Sequence, residues 1–250
     1  MAGTMGSQQM KMLVTRPEPD AQGTVARLNA VGISAIATPL MVRETLTPSL
    51  PQADGFNAMV LTSANALRAL ADRGVLEQYR HLPVFAVGDR TAREASQAGF
   101  LKVSSAAGAL QDLINAMAIS GMRGPIFYPT GKHQSGDLAK ALAPFGIMVV
   151  TAKVYDMVAV EALPDAILAD LGGEIRAALA YSRRSAEIFA DLASNLPREQ
   201  RNKLALLCLS ETVAEPLLEA RFSRISLADH PDEDAMISLA LAFARDQTGP

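Results

Sequence analysis

At 250 residues, with 49% apolar and 20% charged residues and a net charge of -3, the chain has the make-up of a globular protein with material for two cores. That charge gives no whole-molecule attraction to nucleic acid or to an anionic membrane, and no apolar run reaches the roughly 18 residues of a spanning helix. One cysteine excludes an internal disulfide, and His81, His133 and His230 have no ligand-like spacing to one another or to Cys208, which argues against a structural zinc.

In chain order, Met1 to Gln9 is small and polar and reads as an expression tag, and the start lacks a secretory h-region, so the expectation is a cytoplasmic protein. Met12 to Thr15 reads as a strand. A helix is expected to start near Pro17, carry Val25, Leu28 and Val31, and stop at Gly32. A strand at Ile33 to Thr38 follows, then an extended link from Val42 to Gly55 with Pro48 and Pro51. Short apolar runs around Met59 and Val84 alternate with amphipathic stretches. After a short connection at Ser120 to Pro125, Phe127 opens a further strand–helix pair, and Gly146 to Val154 is an apolar strand. Asp156 to Asp165, with Pro164, is a second extended link. Cys208 lies in the apolar run Leu204 to Leu209 and reads as a buried, inert thiol. The acids Asp232, Glu233 and Asp234 follow Pro231, where the helix macrodipole accounts for them without a metal. Strands separated by helices predict α/β architecture with parallel sheets covered on both faces.

The elements occur twice. Leu13 to Met41 aligns without a gap on Phe127 to Tyr155, placing Leu28 on Leu142, Gly32 on Gly146 and Ile33 on Ile147. Met59 to Ser63 then matches Ala178 to Ser182, Val84 to Gly88 matches Leu206 to Ser210, and Lys102 to Met117 matches Arg224 to Ala240. A unit of this size exceeds a solenoid repeat and predicts two similar lobes with a cleft between them. The two equivalent extended links allow the chain to cross between lobes twice.

Strands that feed helices end in small polar or basic residues: Thr15-Arg16-Pro17, Thr62-Ser63-Ala64-Asn65, Gly88-Asp89-Arg90-Thr91, Pro129-Thr130-Gly131-Lys132, Ser182-Arg183-Arg184-Ser185 and Ser210-Glu211-Thr212. In parallel α/β domains such loops lie at the carboxyl edge of the sheet, where helix N-termini favour carboxylate or phosphate, so an anion-binding site is expected. Taken singly, Ser63, Thr91, Ser182 and Thr212 fit helix N-caps equally well. The run Tyr128-Pro-Thr-Gly-Lys-His133 lacks the upstream glycine and the Ser/Thr of a P-loop, Val87 to Thr91 is no dinucleotide fingerprint, and no Gly-x-Ser-x-Gly elbow occurs. Tyr155 opens the second link. It reads either as a proton donor to a leaving oxygen or as a rim aromatic.

With Leu13-Val-Thr-Arg-Pro17, Leu61-Thr-Ser-Ala-Asn-Ala66, Phe85-Ala-Val-Gly-Asp-Arg-Thr-Ala92, Phe127-Tyr-Pro-Thr-Gly131, Val154-Tyr-Asp156 and Tyr181-Ser-Arg-Arg-Ser-Ala186, in this order and spacing, the chain resembles the uroporphyrinogen-III synthase family from Met12 to the C-terminus. The resemblance implies two flavodoxin-like domains joined by a two-stranded linker, each lobe built from parts of both repeats. Domain 1 would comprise 11–41 with 166–250 and domain 2 would comprise 54–150, with 42–53 and 151–165 as linker strands. It implies closure of the linear tetrapyrrole hydroxymethylbilane with inversion of its last pyrrole, giving uroporphyrinogen III and water, with no cofactor and no metal. The family's chemistry passes through an azafulvene and a spiro intermediate, so control of the chain's folding should matter more than a strong acid or base. By match, Tyr155 is the candidate proton donor. Thr62, Ser63, Thr91, Ser182 and Thr212, with adjoining backbone amides, match carboxylate-binding loops, to which Gly88, Arg90, Thr130 and Gly131 belong by position. Charge and position add Arg16, Lys132, Arg183 and Arg184. The glycine usual at the start of the last loop is Ser210 here, followed by Glu211, an acid expected to face away from an anion site. The expected partner is a small polycarboxylate tetrapyrrole acting on a monomer, with hand-over from hydroxymethylbilane synthase, and neither nucleic acid nor membrane. A non-catalytic tetrapyrrole binder or regulator of the same fold is the alternative, and a nucleotide-dependent enzyme is disfavoured by the broken phosphate motifs.

Overall fold

The computed structural model describes residues 10–106, 108, 110–134 and 136–247, so the tag expected at Met1 to Gln9 lies outside the described residues. The chain runs β1 (Lys11–Val14), α1 (Asp20–Ala30), β2 (Ser34–Ala37), β3 (Met41–Thr45), β4 (Ala58–Leu61), α2 (Ala64–Asp72), β5 (Val84–Ala86), α3 (Asp89–Gln97) and β6 (Val103–Ser105). It continues with α4 (Leu110–Ile119), β7 (Ile126–Gly131), α5 (Leu138–Leu142), β8 (Val149–Ala159), α6 (Asp165–Asp170), β9 (Ile175–Ala180) and α7 (Arg183–Leu192). The last elements are α8 (Arg198–Lys203), β10 (Ala205–Cys208), α9 (Glu211–Glu219), β11 (Ile225–Leu227) and α10 (Glu233–Gln247). Two compact units result, one of Met1–Val42 with Ala159–Pro250 and one of Arg43–Val158.

The first unit contains a five-stranded sheet in the order β11-β10-β9-β1-β2, with parallel pairing throughout. Its strands are apolar on both faces because both are covered. Leu13, Ala178, Leu206 and Cys208 face a core that includes Phe189, Leu217 and Phe222. Met12, Val14, Leu179 and Leu207 face another with Leu28, Met236 and Ile237. Cys208 is fully buried, and burial pushes its thiol up to about 12.

The second unit carries β8-β7-β4-β5-β6 in parallel, with β3 at the edge beside β8. Met59, Leu61, Phe127 and Val154 fill one face with Tyr79, which stacks on Phe127 at 4.7 Å. Ala58, Val60, Ile126 and Tyr128 face the other with Leu113 and Leu142. In each sheet a βαβ block supplies the two strands on one side, β1-α1-β2 in the first unit and β7-α5-β8 in the second. Their registers coincide with the sequence repeat: Leu13 pairs Ile36 as Phe127 pairs Val150.

The repeat also places equivalent helix ends. At the end of α1, Gly32 has φ 84°, its N–H donates to the Asn29 carbonyl at 3.0 Å, and the Ile33 N–H donates to the Leu28 carbonyl at 2.9 Å. Gly146, φ 71°, repeats this with Ala143 at 3.0 Å and Ile147 with Leu142 at 3.4 Å. This is the Schellman arrangement, and glycine is needed because the capping residue is left-handed.

Three local expectations are corrected. Helix α1 begins at Asp20 rather than near Pro17: Pro19 is its N-cap, with its carbonyl accepting the Gly23 N–H at 3.3 Å, and Pro17 to Pro19 form the turn before it. Pro129 to Gly131 are not a loop but the end of β7, paired with Ala152 to Tyr155. Strand β8 runs through Tyr155 to Ala159, so Tyr155 lies within a strand.

Candidate functional site

In the second unit β7 and β4 are neighbours, yet β7 leads to β8 on one side and β4 to β5 on the other. Such a reversal leaves a crevice at the carboxyl ends of the two strands, where α/β proteins bind ligands. The residues there are Thr62 and Ser63 after β4 and Thr130 to His133 at the end of β7. The Thr62 hydroxyl lies 3.1 Å from that of Tyr128, which is buried. Ser63 is the N-cap of α2, its Oγ accepting the Asn65 N–H at 3.2 Å.

Tyr155 is half-buried against the face of Met59, Leu61 and Phe127. A Cβ at its strand partner Gly131 would stand 2.8 Å from Tyr155 Cζ and 3.0 Å from its hydroxyl oxygen, so only glycine leaves room for the phenol. Burial raises the Tyr155 pKa above its ordinary value, with the Ser63 hydroxyl and the Arg43 charge pulling the other way. The phenol is therefore protonated at neutral pH. The Lys132 N–H donates to the Tyr155 carbonyl at 2.9 Å, and Lys132 Nζ lies 3.0 Å from Asp156 Oδ2, with His133 Nε2 3.6 Å from the other carboxylate oxygen. Burial alone would raise the Asp156 pKa, but the hydrogen bond and charge of Lys132 outweigh it and hold the carboxyl below its ordinary range. Lys132 remains 58% exposed, so its outer face is open to an anion. Thr130 is buried in β7.

The next loop of this unit places Gly88 as the N-cap of α3, in extended conformation. Thr91 is the third residue of that helix and buried, not its cap. Arg90 is exposed and approaches Glu94 at 3.5 Å.

The first unit has the same crevice between β1 and β9, filled differently. Arg16 pairs with Asp20 at 2.9 Å and with Glu233, donates to Thr24 at 3.2 Å, and lies 4.4 Å over the Tyr181 ring. Burial and the Glu233 charge push Tyr181 up to about 12. The guanidinium expected to meet a ligand is thus engaged by this unit's own carboxylates. Ser182 caps α7 in a reciprocal capping box with Ser185. Arg183 pairs with Glu187 at 3.0 Å and with Glu215, while Arg184 is the second residue of α7. At α9 the N-cap is Ser210, and Thr212, expected as a cap, is the second helical residue, 3.0 Å from the Ser210 hydroxyl. Glu211 is exposed.

A family model described as uroporphyrinogen-III synthase HemD matches residues 22–238. The chain belongs to the uroporphyrinogen-III synthase family. Comparison with curated proteins finds no match. Among solved structures, uroporphyrinogen-III synthetase from Helicobacter pylori is similar at TM-score 0.66 and 18% identity, over 94% of this chain and 99% of that one. A mutant uroporphyrinogen-III synthase from Thermus thermophilus is similar at TM-score 0.55 and 17% identity, over 95% and 99%. These likenesses bear on the fold.

For a uroporphyrinogen-III synthase, the second unit offers a protonated phenol beside hydroxyls and an open ammonium. The helix N-termini of α2 and α3 add backbone N–H donors within that unit, and those of α7 and α9 present the same groups within the first. Sequence reasoning missed Tyr128 and Asp156. Tyr128 shares a face with Thr130 by strand alternation, a signal hidden once 129–132 was read as a loop. Asp156 gave no signal beyond its place next to Tyr155. Among the described residues, no cluster of His, Cys, Asp or Glu could hold a metal ion, and no helix is long and apolar enough to cross a membrane.

Proposed function

We propose that the protein cyclises hydroxymethylbilane to uroporphyrinogen III and water, with Tyr155 giving its proton to the departing hydroxyl. The observation carrying this reading is the half-buried phenol at the carboxyl edge, cleared by Gly131 in the paired strand. A polycarboxylate is recognised by charge-assisted hydrogen bonds. Ser63, Thr62, Gly88, Arg90, Thr91, Gly131 and Lys132 supply them from the second unit; Ser182, Arg183, Arg184 and Thr212, with their helix amides, supply them from the first. Thr130 supports this edge from inside the strand. Arg16 is left out of the ligand set because Asp20 and Glu233 hold it.

We read the units as flavodoxin-like domains, supported by the strand order 2-1-3-4-5 that each parallel sheet follows when its βαβ block is numbered first. In this reading 11–41 with 166–250 and 54–150 are the domains, and 42–53 and 151–165 are linker strands. The protein works as a cytoplasmic monomer without cofactor, fed by hydroxymethylbilane synthase.

The test supplies enzymatically generated hydroxymethylbilane and separates the oxidised products by isomer. Isomer III is expected in excess of the spontaneous background, and isomer I alone overturns the reading. Tyr155→Phe should lower turnover by about 10-fold or more. Tight tetrapyrrole binding without turnover would favour the non-catalytic alternative, for which the exposed acid Glu211 at the start of α9 is the motivating feature.

A further inference from the structure

The Thr62 and Tyr128 hydroxyls lie 3.1 Å apart and tie β4 to β7 at the floor of the crevice left by the strand reversal. Tyr128 is 4% exposed and packs in the core of Ala58, Val60, Leu113 and Leu142, whose side chains accept no hydrogen bond. Among the described residues, Thr62 is the one hydrogen-bond partner of its phenol. Distance alone lets either oxygen donate. Burial separates the two cases. With Thr62 as donor, the phenol proton is left without a protein acceptor, which costs a hydrogen bond. With Tyr128 as donor, the phenol is satisfied and the proton of the half-buried Thr62 hydroxyl remains to be given to a ligand. The helix makes no claim on Thr62, because the cap of α2 is supplied by Ser63.

We propose that Tyr128 is a positioning residue that directs the Thr62 hydroxyl, so that Thr62 donates to a carboxylate of the substrate. The phenol donates to Thr62 Oγ1, and an oxygen that accepts a hydrogen bond becomes the stronger donor through its own O–H. A carboxylate only accepts, so it is the ligand chemistry that takes this proton. The proposal rests on the synthase reading, in which Thr62 is one of the carboxylate ligands; Tyr128 lies outside that ligand set and acts only through Thr62. No bond of the reaction is made or broken through the pair, so it serves substrate binding and not the chemical step.

The test combines kinetics with a binding titration. Tyr128→Phe removes the donor and keeps the ring in the core. It should raise KM for hydroxymethylbilane about 3-fold with kcat little changed, and Thr62→Val should raise it about 10-fold, the scale of a hydrogen bond to a charged group. Thr62→Ser, which keeps the hydroxyl, should stay near the wild type. In a Thr62→Val background Tyr128→Phe should cost nothing further. The same order is expected in the Kd for uroporphyrin III, the oxidised and still polycarboxylate form of the product, followed by porphyrin fluorescence. An equal rise in both backgrounds shows that Tyr128 acts by packing and overturns the proposal. A loss of kcat at unchanged KM, or a wild type that does not bind uroporphyrin III, overturns it as well. The porphyrin titration needs no turnover, so it decides the Tyr128–Thr62 coupling even if the wild type forms no isomer III, in which case the synthase reading alone fails.

Discussion

Asp156 next to Tyr155 shows how the environment of one residue sets what it can do. Its carboxylate is buried on β8 and held ionised by Lys132, with one oxygen making no hydrogen bond. A carboxyl whose folded pKa lies below its unfolded 3.8 stabilises the fold fully above that value, and this contribution is lost as pH falls through the folded value. Asp156→Asn should therefore lower Tm by roughly 2–4 °C at pH 7, taking about 1 kcal/mol for a pair whose lysine is largely exposed. In thermal melts the gap between wild type and variant should close once the pH drops below the folded pKa; a gap that persists there would mean that the loss is steric. The phenol beside it runs in the opposite sense. Burial raises Tyr155, so the proton that the reaction needs stays on it throughout the neutral range.

At the scale of elements, helix endings make the repeat mechanically consistent. Gly32 and Gly146 take up the left-handed capping position with equivalent hydrogen bonds, and Leu28, Leu142, Ile33 and Ile147 are buried around them. Helix α9 ends the same way, with Phe222 N–H donating to the Leu217 carbonyl at 3.0 Å, but its capping residue is Arg221 at φ 63°. A side chain in that conformation costs roughly 1–2 kcal/mol, of which glycine recovers a part because it also gains freedom in the unfolded chain. Arg221→Gly should raise Tm by roughly 2–4 °C for about 1 kcal/mol in a chain of this size, measured by thermal melts at low salt and high salt. A lowered Tm would show that the Arg221 side chain contributes more than its backbone costs. Element types were legible where a strand is a short apolar run and a helix an amphipathic one, and not at β3 (MVRET), which reads as an extended link, or at α8 (REQRNK), which has no apolar face. The boundaries at Pro17 and Pro129 were misread because proline punctuates turns in isolation, while Pro129 is accommodated in β7 by its register with Ala152.

For the whole molecule, chain continuity and structural unit diverge. The second unit is one continuous segment, whereas the first is assembled from both ends of the chain. Within each unit the two passing segments are tied: Val160 N–H donates to the Leu40 carbonyl at 3.0 Å in the first, and Leu46 N–H to the Val154 carbonyl at 2.8 Å in the second. Each unit has its own cores. A protein made of 43–158 alone, and another joining Val42 to Ala159 through a short glycine-containing turn, should each fold and unfold cooperatively in denaturant, monitored by circular dichroism and near-ultraviolet absorbance. Neither should form isomer III if loops of both units hold the substrate. Failure of either to fold cooperatively would show that its core depends on the other.

By itself the sequence determined the alternation of strands and helices, the repeat, the strand registers inside it and the glycine-capped helix ends, because these follow from periodicity and backbone sterics within about thirty residues. It also brought Tyr155, Ser63, Thr62 and Gly131 forward as candidates through their places at strand ends. Only the tertiary structure decided which candidates meet. Thr62 meets Tyr128 and Gly131 clears the Tyr155 ring because β4, β7 and β8 lie side by side in one sheet. Arg16, equally basic and equally placed in the chain, is taken by Glu233 from the far end of the sequence. Charge and position are local properties, whereas a side chain's partner is set by long-range packing, and the partner decides whether a cation, a hydroxyl or a phenol is left to do chemistry.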